Sequence, residues 1–193
     1  MNTGVVVLAA GDSKRMGVVK QILPVFNVPL LKYLVSETLK TDLHPITVVV
    51  GAHRTEVVGV LENMPIGIVD NPGWQEGVGS SIRMGLIGSY MLTKGIEALI
   101  FMSADMPDVN VGVLSSLQKL GENQTDYNLI KPKESNFPFL IKAPLFENLL
   151  DLKDDASFES LLKNPTIKVL EFESDFCKIE TPEDYLRYLE NYN

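Results

Sequence analysis

Histidine and cysteine are nearly missing from this 193-residue sequence, which has two histidines, His44 and His53, and one cysteine, Cys177. A lone cysteine excludes an internal disulfide and a cysteine-ligated metal cluster, and two histidines are too few for a three-histidine zinc centre. A bound metal is therefore expected to be a hard cation on carboxylates. Positive charge is also short: 17 Lys and Arg stand against 25 Asp and Glu, for a net charge of −8. That sign excludes a general nucleic-acid binder, whose surface must meet phosphates. No apolar run approaches the roughly 20 residues that span a bilayer. The opening Met1-Asn2-Thr3-Gly4 has neither the basic n-region nor the cleavage pattern of a signal peptide. The expectation is a cytoplasmic protein without a nucleic-acid or membrane partner.

What is present is ordinary globular composition, 45% hydrophobic and 22% charged, on a chain whose length suits one domain over residues 1–193. Val5-Val6-Val7-Leu8, Ile46 to Val50 and Ala98 to Met102 are β-branched or apolar on both faces, as in buried parallel strands. Helix-length stretches alternate with them: Leu31 to Leu39, Thr55 to Leu61, Ser80 to Leu92 with serines that can cap, and Asn110 to Leu120 with Gly121 as a stop. Leu129-Ile130, Phe137 to Ile141 and Lys168 to Phe172 read as further strands. Pro144 to Leu150 and Phe158 to Leu162 read as short helices. Thr181-Pro182-Glu183-Asp184 opens a final helix, with a threonine cap, proline at the first helical position and acids in the first turn. The alternation predicts a three-layer αβα sandwich with a mostly parallel central sheet.

In open α/β sheets, ligands bind beyond the carboxyl ends of the strands. Three segments are expected at that edge. The loop from Leu8 through Ala9, Ala10, Gly11, Ser13, Arg15 and Gly17 to Lys20 is small, polar and basic. Its amides and cations suit a polyphosphate, against the plainer reading of a solvated loop. Met16 rules out a Walker A motif, and GxGxxG is absent. The second segment, Val69 to Ser81, is rich in turn formers and small hydroxyls that could edge a flat base. Its Trp74 is either a stacking surface or, more simply, a buried anchor. In the third, Ser103-Ala104-Asp105-Met106-Pro107-Asp108, Asp105 is a natural Mg²⁺ ligand at a strand end, while Asp108 reads as a cap for the next helix. The run Asp151 to Asp155 reads as a solvated helix end, His53 as a surface loop residue, and Cys177 as inert.

Together these segments resemble one family. Leu8-Ala9-Ala10-Gly11-x-Ser13-x-Arg15-Met16-Gly17-x-x-Lys20-x-x-Leu23-Pro24 is similar to the signature loop of nucleotidyltransferases related to molybdenum cofactor biosynthesis. Asn71-Pro72-x-Trp74-x-Glu76-Gly77-x-x-Ser80-Ser81-x-Arg83-x-Gly85-Leu86 resembles the base-site segment of the molybdenum cofactor cytidylyltransferase branch. Ala104-Asp105-Met106-Pro107 is similar to the family's metal-binding turn, and Thr181 to Tyr185 to its last helix start. The resemblance implies a Rossmann-like nucleotidyltransferase fold of the glycosyltransferase A type. It also implies Mg²⁺-dependent transfer of a nucleoside monophosphate from a triphosphate, with pyrophosphate released. Ala10 in the loop goes with CTP in this family, where the guanylyl branch has Gly-Gly. The implied acceptor is molybdopterin-type cofactor, and the implied protein partner a molybdoenzyme that receives the product. Residues Leu8 to Gly11 and Ser13, with Arg15 and Lys20, would take the triphosphate. Asp105 would hold the metal, and Gly77, Ser80 and Ser81 would read the base.

The second half departs from the family pattern. Asn136-Phe137-Pro138 keeps only the proline of Gly-His/Asn-Pro. Lys153 to Phe158 keeps the first Asp of Gly-Asp-x-Gly-Ala-Arg and loses the Arg. Lys178-Ile179-Glu180 replaces Asp-Ile-Asp. Glu180 keeps a carboxylate for a second metal contact. Lys178 resembles the lysine of methylerythritol phosphate cytidylyltransferases and would meet the acceptor phosphate. The alternatives are the same chemistry with GTP or another phosphorylated acceptor, or a non-enzymatic accessory protein that binds the cofactor.

Overall fold

The computed structural model describes residues 1–192. Its first half runs β1 (Thr3–Ala9), β2 (Pro24–Val25), β3 (Val28–Pro29), α1 (Leu30–Thr38), β4 (Ile46–Val50), α2 (Arg54–Gly59), β5 (Gly67–Asp70) and α3 (Val78–Leu92). The second half runs β6 (Ala98–Ser103), α4 (Val111–Asn123), β7 (Leu129–Pro132), β8 (Phe139–Lys142), α5 (Phe146–Leu150), α6 (Asp155–Leu162), β9 (Val169–Phe172) and α7 (Pro182–Tyr192). Seven strands form one sheet in the order β5-β4-β1-β6-β8-β7-β9. Only β8 is reversed, antiparallel to both β6 and β7. The expected three-layer αβα sandwich with a mostly parallel sheet is what the chain forms.

The strands are apolar on both sides because helices cover both sides. Alternate residues of β1 go to opposite cores. Val5, Val7 and Ala9 join Leu31, Leu34, Val57 and Leu114 in one. Val6 and Leu8 join Ile82, Leu86, Phe146 and Phe158 in the other. The stacked rings of buried Phe101 and Phe139, with centroids 5.0 Å apart, continue the second core across the reversed strand.

Several local expectations shift for physical reasons. Helix α4 continues through Gly121 to Asn123, because that glycine serves packing: a Cβ there would lie 2.9 Å from a methyl of Leu140. Asn110 caps α4, accepting from the amides of Gly112 and Val113 at 2.9 and 3.2 Å. Asp108, the expected cap, instead accepts from the Cys177 amide at 2.8 Å. Burial first, and then the carboxylates of Asp108, Asp184 and Asp175, raise the Cys177 thiol above its ordinary range. The β8 strand begins at Phe139 rather than Phe137, after Pro138, which has no amide to give to a ladder. The β2–β3 hairpin has no sequence signal, since its turn uses Phe26 and Asn27 at positive φ in place of Asn-Gly.

Helix α7 starts as its sequence predicts. The Thr181 hydroxyl accepts from the Asp184 amide at 3.2 Å, and the Asp184 carboxylate accepts from the amides of Thr181 and Glu180 at 2.9 and 3.1 Å. Partial burial raises the Asp184 pKa, but the bonds from Thr181 and Glu180 outweigh it, so the net shift is downward. A carboxyl lowered in the folded state stabilises above its unfolded pKa, and that contribution fades as pH falls through the lower folded value. Urea unfolding of Asp184→Ala should therefore give a stability below wild type at pH 6, by about 1 kcal/mol for a lost capping interaction. The gap should close toward pH 3; one that is constant with pH would contradict this.

Candidate active site

The sheet changes direction between β1 and β6: the chain first builds outward through β4 and β5, then returns to pair β6 with β1. Loops leaving neighbouring strands diverge there and leave a crevice at the carboxyl edge. It is a cleft of about 850 Å³ lined from all three expected segments and from the second half of the chain.

The loop after β1 forms one wall. Gln21 is 1% exposed and pins this loop from beneath. Its Nε2 donates to the carbonyls of Ala9 and Gly11, both at 3.0 Å, and its Oε1 accepts from the Ser13 hydroxyl at 3.1 Å. Ser13 sits at φ 56°, turning the chain so that its Oγ also accepts the Lys20 amide at 3.1 Å. His53 braces the loop from β4, with Nε2 2.9 Å from the Asp12 carbonyl. The amides of Gly11 and Ser13 donate to no acceptor among the described residues, so they are unused donors suited to an anion. A Cβ on Gly11 would meet nothing within 4 Å. Gly11→Val should accordingly keep stability within about 0.5 kcal/mol of wild type yet weaken triphosphate binding at least about tenfold, because the isopropyl group fills ligand space. Thermal melts and calorimetric titration check the two halves separately.

Charges gather at the end of β6. Asp105 is 3% exposed. Its Oδ2 accepts from Lys20 Nζ at 2.5 Å, and its Oδ1 is buried without a hydrogen-bond partner. The Ala104 amide donates to the Leu8 carbonyl at 3.0 Å and the Ile179 amide to the Asp105 carbonyl at 2.8 Å, which ties the Asp105 turn to both the first loop and the C-terminal segment. Glu180 on that segment pairs with Arg15 at 2.7 Å and Lys178 at 2.5 Å. Burial pushes the Glu180 carboxyl up, but the two cations outweigh it and hold it below the usual carboxylate range.

The opposite wall is the start of α3. Gly77 precedes it at φ 118°, a backbone state that disfavours any side chain. With no capping side chain at Gly77, the Val78 amide donates to Asp155 Oδ1 of α6 at 2.6 Å. Ser80 and Ser81 lie inside α3 rather than capping it. Ser80 is fully buried and donates to the carbonyls of Gly73 and Gly77 at 3.0 and 2.8 Å. Asn71 Nδ2 donates to both serine hydroxyls at 2.9 and 3.0 Å.

Of the residues expected at the site, Leu8, Ala10, Gly11, Arg15, Lys20, Gly77, Ser81, Asp105, Lys178 and Glu180 line this cleft. Ala9 points into the first core, and Ser13 and Ser80 stand behind the walls, bonded to the chain that shapes them. Trp74, half-buried, lines the cleft and packs against the second core. Sequence reasoning missed Gln21, Asn136, Phe137, Asp155, Phe158 and Glu159, which also line it. The expected solvated run at Asp151 to Asp155 is in part a cap: Asp154 and Ser157 form a capping box for α6, which frees Asp155 to reach α3. The Asp-x-x-Ser spacing is the signal that could have found it.

The donor set fits a hard divalent cation. Asp105 offers a buried, unpartnered carboxylate oxygen, and Glu180 offers a second carboxylate. The described residues contain no group of three or more acidic, histidine or cysteine ligands. One or two carboxylates completed by substrate phosphates is the pattern of Mg²⁺ rather than of a protein-only cage.

No curated protein matches the chain. Solved structures do. Rv0371c from Mycobacterium tuberculosis H37Rv aligns with a TM-score of 0.84 at 22% identity, covering 98% of each chain, and has also been solved in complex with manganese. A nucleotidyl transferase from Methanothermobacter thermautotroptrophicus (Mth528) aligns at 0.80 and 20% identity, over 98% of this chain and 97% of that one. Molybdopterin-guanine dinucleotide biosynthesis protein A from Archaeoglobus fulgidus aligns at 0.71 and 17% identity, covering 98% of each. At these identities the likeness shows a shared fold. The family is shown by a sequence model, the MobA-like NTP transferase domain, which matches residues 5–169. The chain belongs to the MobA-like NTP transferase family.

Proposed function

We propose that this chain moves CMP from CTP to the phosphate of molybdopterin-type molybdenum cofactor and releases pyrophosphate. The observation that carries the reading is Asp105: a buried carboxylate at the end of β6, one oxygen on Lys20 and the other unpartnered, in the same cleft as the Gly11 loop with its unused amide. Transfer between phosphates asks a protein for positioning and charge neutralisation more than for covalent chemistry. At this end of the cleft Lys20 is held by Asp105, and Arg15 and Lys178 by Glu180. A metal-bound triphosphate satisfies both sets at once. Arg15, Lys20 and the loop amides would take its phosphates, and Asp105, with Glu180 as second carboxylate, would hold its Mg²⁺.

When bound, the metal supplies neutralisation of the phosphate oxygens. Arg15 and Lys20 hold the triphosphate, and Lys178 holds the acceptor phosphate for in-line approach. An acceptor phosphate oxygen bonds to the α-phosphorus while the bond from that phosphorus to the bridging oxygen breaks, and pyrophosphate leaves with the electron pair. The acceptor is already anionic near neutral pH and needs no general base, so the shortage of histidine is no obstacle. Gly77 and Ser81 edge the base, with Ser80 behind them fixing their backbone. In this reading the chain works as one domain in the cytoplasm and passes its product to a molybdoenzyme.

The test is pyrophosphate release from CTP, GTP, ATP and UTP with Mg²⁺, with and without purified molybdopterin cofactor. Cofactor-dependent turnover of CTP is the expected result. Turnover with GTP alone would overturn the choice of base. Clear CTP binding without turnover on any acceptor would replace catalysis by an accessory binding role.

A further inference from the structure

Resting on the reading of this cleft as a nucleotidyl-transfer site, we propose that Asp155 is a specificity-determining residue whose carboxylate accepts hydrogen bonds from the amino-bearing edge of a flat heterocycle. Five carboxylate residues line the cleft: Asp12, Asp105, Asp155, Glu159 and Glu180. Four have a cationic partner. Asp12 pairs with Lys14 at 2.8 Å, Asp105 with Lys20, Glu159 with Lys163 at 3.4 Å, and Glu180 with Arg15 and Lys178. Asp155 has no ion pair among the described residues. Its Oδ1 accepts only the Val78 amide, and its Oδ2 has no partner among them.

An exposed, unneutralised carboxylate in a ligand cleft repels phosphate and favours N–H donors. Aromatic residues share this lining: Trp74 and Phe137 are half-buried, and Phe158, 2% exposed, packs behind them in the second core. Phe137 and Phe158 are in ring contact with centroids 5.9 Å apart, and Trp74 belongs to the same cleft. Apolar faces beside a hydrogen-bond acceptor suit a flat ring that carries an exocyclic amino group. Two substrate parts have that chemistry, the nucleobase of the triphosphate and a heterocyclic body on the acceptor. Helix α6 joins both walls: Asp155 accepts from the Val78 amide of α3, and Glu159, on the same helix, accepts from Asn136 Nδ2 at 2.9 Å. The close fit of Gly77 agrees with a fixed carboxylate, since a Cβ there would lie 2.6 Å from Asp155 Oδ1.

Asp155→Asn separates recognition from capping. The amide oxygen can still accept from Val78, while the amide NH₂ replaces the free acceptor with a donor. Three probe pairs exchange an amino group for oxo or hydrogen: CTP and UTP, GTP and ITP, and pterin and lumazine; GTP and ITP differ in nothing else. Each is titrated into wild type and Asp155→Asn by calorimetry with Mg²⁺, with thermal melts as a folding control. The expected result is a preference of about tenfold or more for the amino member of one pair in wild type, abolished in the variant at nearly unchanged melting temperature. A triphosphate pair would place the base on Asp155, and the pterin pair would place the acceptor there. No preference in any pair, or one that survives Asp155→Asn, overturns the proposal. If no triphosphate binds but the pterin preference appears and is lost in the variant, the transfer reading falls and the role of Asp155 stands. If triphosphates bind and Asp155→Asn alters the ratio of no pair, the pterin pair included, the transfer reading stands and the role of Asp155 falls.

Discussion

Asp105→Asn should lower nucleotidyl transfer by at least about 10³-fold, the scale seen when a fixed charge or donor acting on a transferring phosphoryl group is lost. The substitution keeps size and shape and retains an oxygen for Lys20 Nζ, so the turn between β6 and α4 should persist. What disappears is negative charge. Two binding measurements separate this from misfolding. Triphosphate binding without Mg²⁺ should be as tight as in wild type or tighter, because Lys20 no longer faces a carboxylate at 2.5 Å. Added Mg²⁺ should no longer improve it. A variant that keeps more than about a tenth of the wild-type rate would remove Asp105 from the metal site and with it the main support for the proposed chemistry.

Gly79→Ala should destabilise the protein, although alanine is the better helix former. In an exposed helix interior the exchange favours alanine by about 1 kcal/mol. Here the added Cβ would lie 2.3 Å from the Asp154 carbonyl oxygen and 2.9 Å from the Asp154 nitrogen. Both are backbone atoms, so no flexible side chain can yield, and α3 and α6 must separate. Overpacking of this kind costs about 1–3 kcal/mol, which outweighs the propensity gain. The net loss should be about 1 kcal/mol, a melting temperature lower by roughly 2–4 °C for a chain of this size. Because the same contact sets Asp155 against Val78, ligand affinity should fall as well. A melting temperature equal to or above wild type would mean that the two helices part freely.

How much of this was legible depends on the range of the forces involved. The doubly apolar runs at Val5, Ile46 and Ala98 determined the buried parallel strands, because a strand covered on both faces tolerates few polar residues. The alternation with helices then determined the layers, and the Thr-Pro-Glu-Asp start fixed α7 through capping that acts within four residues. The carboxyl-edge rule put the loop at Gly11 and the turn at Asp105 on one crevice before any coordinates. Elements with weak local signals were missed: the β2–β3 hairpin turns on two non-glycine residues, and Gly121 looks in sequence like a stop although it is a packing contact.

The sequence by itself therefore determined the architecture, the family and the small set of charged residues available to the site. Only the tertiary structure decided how those charges are joined. Lys20 meets Asp105 across 85 residues, Arg15 meets Glu180 across 165, and Asp155 reaches the Val78 amide across 77. Such pairings follow from which strands and helices lie side by side, and neither periodicity nor turn chemistry carries that information. The cause is one of range: capping and periodicity act over a few residues of chain, whereas an ion pair or a carboxylate left without a cation depends on atoms brought together only when the whole sheet has closed.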